Sequence, residues 1–88
     1  MTNLEYLKEF YQGELIGFSN PDFDDAIIGI TTDGVVVYDY NKMVESLMRT
    51  DGMSQEDATE WIDYNTIRSI PYAGPKAPAI MYSLEEYR

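Results

Sequence analysis

Apolar residues recur with a helical spacing at the start of the chain. Leu4 and Leu7 lie three positions apart, and Thr2 and Glu5 form the pair expected of a capping box. In a capping box the side chains of the two residues satisfy each other's backbone N–H groups at the start of a helix. The pattern therefore predicts a short helix over residues 3–11.

The pattern changes to β-branched runs in the middle of the chain. Residues 26–31 and 35–38 are rich in Ile, Val and Thr, and they flank the dipeptide Asp33-Gly34. Because Asp-Gly is typical of a two-residue type I′ turn, these runs predict a β-hairpin. Neither run alternates between apolar and polar positions, which predicts that both strands are buried on both faces.

Helical periodicity returns twice after the hairpin. The first of these helices begins after Asp39 or Asn41, either of which can cap it, and it ends near residue 49, before Gly52. The second begins at Ser54 and runs to residue 66. One stripe of this helix is expected to pack on the core, and it ends in the polar residue Asn65. The residues of the stripe are Ala58, Trp61, Ile62 and Asn65.

The remaining segments are two loops, a third strand and a tail. Residues 13–25 contain several turn formers and indicate a loop, in which Ile16 and Phe18 either form a brief strand or pack across the core. Residues 79–84, "AIMYSL", predict a third strand antiparallel to the hairpin. The tail, residues 85–88, is expected to be exposed.

Together these elements predict an α+β fold in one domain, residues 1–88. The sheet is expected to be small, antiparallel and three-stranded, formed by the hairpin plus the carboxyl-terminal strand. Two or three helices are expected to pack on one of its faces. A chain of this length buries only roughly 60–65% of the surface of its unfolded form, so its single core leaves little stability to spare.

The net charge of the chain limits the classes of partner that it can bind. Sixteen acidic residues against six basic ones, with no His, give a net charge of −10. Direct binding to nucleic-acid phosphates or to an anionic membrane is disfavoured, because both rely on Lys and Arg. A basic protein partner is favoured by the complementary field. The alternative is that the acidity serves solubility alone.

Composition also bears on compartment and on chemistry. The chain has no Cys, which excludes disulfides and thiolate metal sites. No apolar run approaches the ~20 residues of a membrane span, and the amino terminus does not resemble a signal peptide, so a bacterial host cytoplasm is the expected location. Without His, Cys or a nucleophile motif, the chain is expected not to be an enzyme, and no cofactor is expected.

The strongest candidate site is one face of the second predicted helix. Its acids recur three or four positions apart, opposite the apolar stripe, and they are Glu56, Asp57, Glu60 and Asp63. At about 1.5 Å rise per residue they give one charge per ~3 Å, close to the ~3.4 Å per phosphate of one DNA strand. Such a face can mimic nucleic acid. Solvation of an ordinary helix is the alternative.

A second acidic group precedes the first strand. Asp22, Asp24 and Asp25 lie within four positions and form a possible second binding patch. Carboxylates at this spacing can hold Mg²⁺ or Ca²⁺, but the Gly and the distal Glu of a calcium loop are missing, and no metal is predicted. A turn in which the Asp side chains accept hydrogen bonds from nearby amides is the simpler interpretation.

The aromatic residues and one arginine are further candidates for recognition. The chain has eight Tyr, which are favoured at interfaces but also serve as boundary residues of small cores. Arg68 stands among acids. We expect its guanidinium to bond a carboxylate or carbonyls at the helix end, with a role as a substrate anchor as the alternative.

Residues 33–82 contain "DGVVVY", "MVESLM", "DGMSQEDA", "YNTIRSIPY" and "PAIMY", and in these pieces the chain resembles short proteins encoded by phages and prophages of Gram-positive bacteria. The resemblance implies an anti-CRISPR or similar anti-defence context, in which carboxylates enter a basic nucleic-acid channel. It suggests a phage accessory protein that inhibits a basic host protein such as a CRISPR effector nuclease. The alternative is a small non-catalytic interaction module or homodimer whose tyrosines and strand edge bind a partner.

Overall fold

The computed structural model describes residues 1–84 and, within them, three α-helices and three strands. In chain order these are α1 (Asn3–Phe10), β1 (Ile27–Ile30), β2 (Val36–Asp39), α2 (Tyr40–Asp51), α3 (Gln55–Trp61) and β3 (Ala79–Met81). A π-helical segment, Ile62–Ile67, continues α3, and short 3-10 turns lie at Asp24–Ala26 and Ile70–Tyr72. The α+β class is confirmed, and the predicted exposed tail lies outside the described residues. No helix in this part of the chain is both long enough and apolar enough to cross a bilayer.

The three strands form one mixed sheet in the order β1-β2-β3. β1 is antiparallel to β2, whereas β3 is parallel to β2, with Tyr38 opposite Ile80. The prediction of a purely antiparallel sheet is therefore wrong. Residues 40–78 carry two helices between β2 and β3, and a long helical connection of this kind allows a strand to return in the same direction.

The hairpin turn is longer than the sequence predicts. The N–H of Thr31 donates to the Val35 carbonyl, and the N–H of Gly34 donates to the Thr31 carbonyl, which leaves a three-residue loop. Gly34 has φ +87°, whereas Asp33 is not among the residues with positive φ, so the turn is not type I′. The Thr31 hydroxyl binds both the Asp33 carboxylate and the Val35 N–H, and these bonds stabilise the longer loop.

Burial differs sharply between the two strands of the hairpin. β2 is the central strand, and its Val36 and Tyr38 are fully buried. β1 is an edge strand of half-buried residues, and an irregularity between Ile27 and Gly29 leaves Ile28 exposed. The prediction of burial on both faces is therefore wrong for β1, because an edge strand with a bulge turns part of its backbone and side chains to solvent.

The helix boundaries follow from local capping. The Thr2–Glu5 capping box is present at α1, as predicted. Of the two candidate caps for α2, Asp39 is the one used, because its carboxylate accepts a hydrogen bond from the Lys42 N–H at 3.1 Å. Gly52 ends α2 in the left-handed conformation, with φ +69°.

Tyr38 lies at the centre of the core. Its hydroxyl accepts a hydrogen bond from the Phe18 N–H at 2.9 Å, and the two rings lie 4.7 Å apart. Phe18 therefore packs across the core and does not form a strand, which resolves the two alternatives for the loop. The other largest fully buried side chains are Met43, Leu47, Ile62 and Val36. This core joins the sheet to α2 and α3, and it fixes the position of the acidic helix face.

Candidate functional site

The acidic residues of α3 stand on a well-anchored helix. Ser54 caps α3 by accepting the Asp57 N–H at 3.1 Å, and Ala58 on the opposite side is fully buried. We define the acidic face as the carboxylates of α3 and its π-helical continuation: Glu56, Asp57, Glu60 and Asp63. All four residues are exposed. Within residues 1–84, the carboxylates of the first three have no hydrogen bond or ion pair, so they remain available to a partner.

The helix does not continue to residue 66 in the α conformation. Its last part, Ile62–Ile67, is π-helical. The Asn65 side-chain amide donates to the Trp61 carbonyl at 3.0 Å, the group that an α-helix would pair with the Asn65 N–H. This competing bond is a local reason for the π geometry, and propensity patterns do not reveal it.

Asp63 differs from the other acids because it has an internal partner. The Tyr40 hydroxyl donates to the Asp63 carboxylate at 2.8 Å, which ties the far end of the acidic face to the start of α2. The sequence does not indicate this contact, because the two residues are 23 positions apart. Tyr40 is buried, and burial, together with the bond to Asp63, raises the pKa of its hydroxyl from 10.0 to about 12.

The raised pKa of Tyr40 predicts a loss of stability in alkali. The folded state favours the neutral phenol, so this contribution is fully present below pH 10 and is lost as the pH rises through about 12. With a discount for solvent screening, the shift corresponds to about 1–2 kcal/mol of unfolding free energy. We expect Tyr40→Phe to lose less stability than the native protein across this window, as measured by urea unfolding at stepped pH. Equal losses would contradict the assignment, and Tyr72→Phe, at an exposed site, is the matched control.

A groove of about 430 Å³ adjoins the acidic face. It is lined by Glu60, Asp63, Tyr64 and Arg68. The Arg68 guanidinium lies over the Tyr64 ring, 4.7 Å from its centroid, and forms no ion pair within residues 1–84. The sequence predicts that Arg68 bonds a carboxylate or a carbonyl, whereas in the structure its guanidinium stacks on an aromatic ring. The two acidic residues of the groove, Glu60 and Asp63, are exposed.

The carboxylates of the second acidic group, Asp22, Asp24 and Asp25, all bond other residues of the chain. The Asp24 carboxylate accepts the Asn3 N–H at 2.8 Å and the Leu4 N–H at 3.1 Å, so it caps α1 from a distant part of the chain. Asp22 accepts the Asp24 N–H at 3.0 Å. Asp25 forms an ion pair with Arg49 at 2.8 Å. Of these contacts, only that of Asp22 matches the turn interpretation, because Asp24 bonds the amides of a distant helix and Asp25 bonds an arginine. Within residues 1–84, no group of three or more carboxylates or other ligands is arranged to hold a metal ion.

The two neighbouring aspartates are expected to differ in their effect on stability. Asp24→Ala removes a carboxylate that accepts two N–H groups at a helix start, and we expect a loss of about 1–2 kcal/mol in unfolding free energy. Asp25→Ala removes only an exposed ion pair, and we expect at most about 1 kcal/mol. Urea unfolding of both variants measures the difference. Equal losses would show that Asp24 does not cap α1.

An exposed apolar patch shares no residue with the acidic face. Tyr6 and Phe10 on α1 are 60% and 58% exposed, and their rings meet edge to face at 5.8 Å. The exposed Ile28 of the edge strand β1 lines a small hollow together with Tyr6. Aromatic residues beside an unpaired strand edge are common in protein interfaces. The patch thus combines exposed aromatic rings with a strand edge.

Comparison with known protein families, with curated proteins and with solved structures finds no match for this chain.

Proposed function

We propose that this protein is a non-catalytic binding protein whose acidic face occupies a basic, nucleic-acid-binding surface of another protein. One observation carries the proposal: three exposed carboxylates without internal partners stand on a capped helix, and a fourth, which Tyr40 holds in place, stands on its π-helical continuation. The folded helix fixes the backbone that carries these carboxylates, which lowers the ordering cost of binding. The acidic face would then compete with phosphate for the same Lys and Arg side chains.

The electrostatics of the whole chain support the same function. A net charge of −10 attracts a basic surface from a distance and raises the rate of encounter. At about 0.1 M salt the Debye length is about 10 Å, so this attraction weakens steeply as salt is added. Asp22, Asp24 and Asp25 add to the general negative field, but their internal bonds make them a secondary contact.

The partner class follows from the resemblance of residues 33–82 to short phage and prophage proteins. In that context the protein acts in the bacterial host cytoplasm as an anti-CRISPR or similar anti-defence factor. A CRISPR effector nuclease fits as a partner because its nucleic-acid channel is positively charged. The protein itself then needs neither a cofactor nor direct contact with nucleic acid.

Competition with nucleic acid is the property that an experiment must detect. The immobilised protein is exposed to a lysate of a Gram-positive bacterium that carries a CRISPR system, and bound proteins are eluted with a salt gradient or with a DNA fragment. We expect a basic nucleic-acid-binding protein to elute with either agent. A bound protein that neither salt nor DNA elutes would overturn the proposed mechanism.

The exposed patch of Tyr6, Phe10 and Ile28 favours a second candidate, a small interaction module or homodimer. Its binding rests on burial of apolar surface, so it tolerates salt. Sedimentation equilibrium of the native protein and of Phe10→Ser separates the two candidates. A native dimer that Phe10→Ser dissociates, at both low and high salt, supports the second candidate. A native protein that is monomeric throughout argues against the homodimer.

A further inference from the structure

A pocket of about 250 Å³ opens between the loop at residues 18–21 and the π-helical segment. It shares no residue with the acidic face. The side chains that define its chemistry are Phe18, Ser19, Asn20, Trp61, Asn65 and Ser69. We call it the Trp61 pocket. Its volume is below that of sites for drug-sized ligands, and it suits a molecule with a single ring.

The lining of the Trp61 pocket is polar but carries no charged side chain. The Asn65 amide nitrogen donates to the Trp61 carbonyl, which leaves its amide oxygen as an acceptor. The Ser69 hydroxyl donates to the Thr66 carbonyl, and its lone pairs remain available. Ser19 and Asn20 make no side-chain hydrogen bond within residues 1–84. The pocket therefore offers several neutral donors and acceptors.

One wall of the pocket is aromatic. Trp61 is half-buried, and its ring packs against Phe23 at 6.4 Å, which holds the indole in place. Phe18 lines the pocket as well, from the loop at residues 18–21. Aromatic rings beside separate polar groups suit a ligand that has one apolar face and hydroxyl groups around its edge.

Unusual backbone geometry is concentrated around this pocket. Asn20 lines it with φ +59°, and the neighbouring Phe23, fully inside the core, has φ +50°. Positive φ is costly for a bulky residue such as Phe. The opposite wall is the π-helical segment, and π-helical turns are frequent at functional sites. The fold thus keeps a costly backbone conformation, that of Phe23, close to the loop that lines the pocket, and a π-helical segment lines the pocket from the helix side.

We propose that the Trp61 pocket binds a small neutral polyhydroxylated molecule of the monosaccharide class. The C–H face of the sugar ring lies on Trp61, and its hydroxyl groups bond the side chains of Asn20 and Asn65. Phosphorylated ligands are excluded, because no Lys or Arg lines the pocket and the chain carries ten net negative charges. Cationic ligands are not selected, because no carboxylate lines it.

Trp61 is the only tryptophan of the chain, so its fluorescence reports on the pocket directly. The protein is titrated separately with glucose, galactose and N-acetylglucosamine, and the emission of Trp61 is followed. We expect a saturable change for at least one sugar, with a Kd of a few millimolar or lower, about −4 kcal/mol at 1 mM. No saturable change with any of the three would overturn the proposal. Saturation by adenosine but by no sugar would overturn it equally.

Two variants locate the binding. Asn20→Gly removes the amide while fitting the positive φ of this position. Asn65→Leu removes the second amide at an exposed position, and with it the bond to the Trp61 carbonyl that favours the π geometry. We expect each to weaken sugar binding about 10-fold. Gln55→Leu, exposed at the start of the same helix, is the matched control and should bind as the native protein does. Unchanged affinity in both pocket variants would overturn the proposal, since the signal would then arise elsewhere.

Discussion

Replacing Tyr38 with alanine is expected to leave the domain largely unfolded at room temperature. Truncating a fully buried aromatic side chain costs about 3–5 kcal/mol, and the Phe18 N–H loses its acceptor at a further cost of about 1–3 kcal/mol. A domain of this length has about 4–13 kcal/mol of total stability. The loss is therefore comparable to the whole free energy of unfolding.

Tyr38→Phe separates the two contributions. The ring and its packing against Phe18 are kept, and only the hydroxyl that accepts the Phe18 N–H is removed. We expect a folded protein that is about 1–3 kcal/mol less stable. Urea unfolding followed by circular dichroism measures both variants, with Tyr72→Phe, at a residue 90% exposed, as the control. A Phe variant as stable as the native protein would show that the hydroxyl is dispensable.

Tyr38 also shows where sequence reasoning reaches its limit. Its place in a β-branched run predicts a strand, and β2 is there. Its bond to Phe18, 20 positions earlier, depends on how the loop crosses the core. Local signals are short-range: the Thr2–Glu5 box and Gly52 act within one helical turn, and they mark helix ends correctly.

The errors in the predicted fold have the same origin. The direction of β3 depends on the path of the chain through two helices, and nothing inside the residues of β3 encodes it. The π geometry after α3 is accompanied by a side-chain bond, from Asn65 to the Trp61 carbonyl. Both features are set by contacts that composition and periodicity do not register.

For the candidate site, the sequence indicates which acids share a helix face but not which of them are free. The spacing of Glu56 and Glu60 predicts a common face, and both are exposed. The same reasoning groups Asp24 with its neighbours, although its carboxylate caps α1. An acidic residue near a helix start can either cap the helix or remain available to a partner, and only the three-dimensional contacts distinguish the two roles.

Reversing two charges of the acidic face is expected to abolish most of the proposed binding. The double variant Glu56→Lys/Glu60→Lys removes two attractions to a basic surface and introduces two repulsions. Like charges placed opposite each other cost several kcal/mol. We expect the affinity for the captured basic protein to fall roughly 100-fold, which corresponds to about 2.7 kcal/mol. Both positions are exposed and have no internal partner within residues 1–84, so the fold should tolerate the change.

The matched control changes the net charge by the same amount at a different place. Glu9 and Glu14 are exposed and lie outside the acidic face, so Glu9→Lys/Glu14→Lys should weaken binding only a few-fold through the general field. Titrations of both variants at two salt concentrations, by calorimetry, give the comparison. Equal losses in the two variants would show that net charge alone attracts the partner. A selective loss at α3, which shrinks as salt rises, is the result that a nucleic-acid mimic requires, because a mimic depends on where its charges stand and a general field does not.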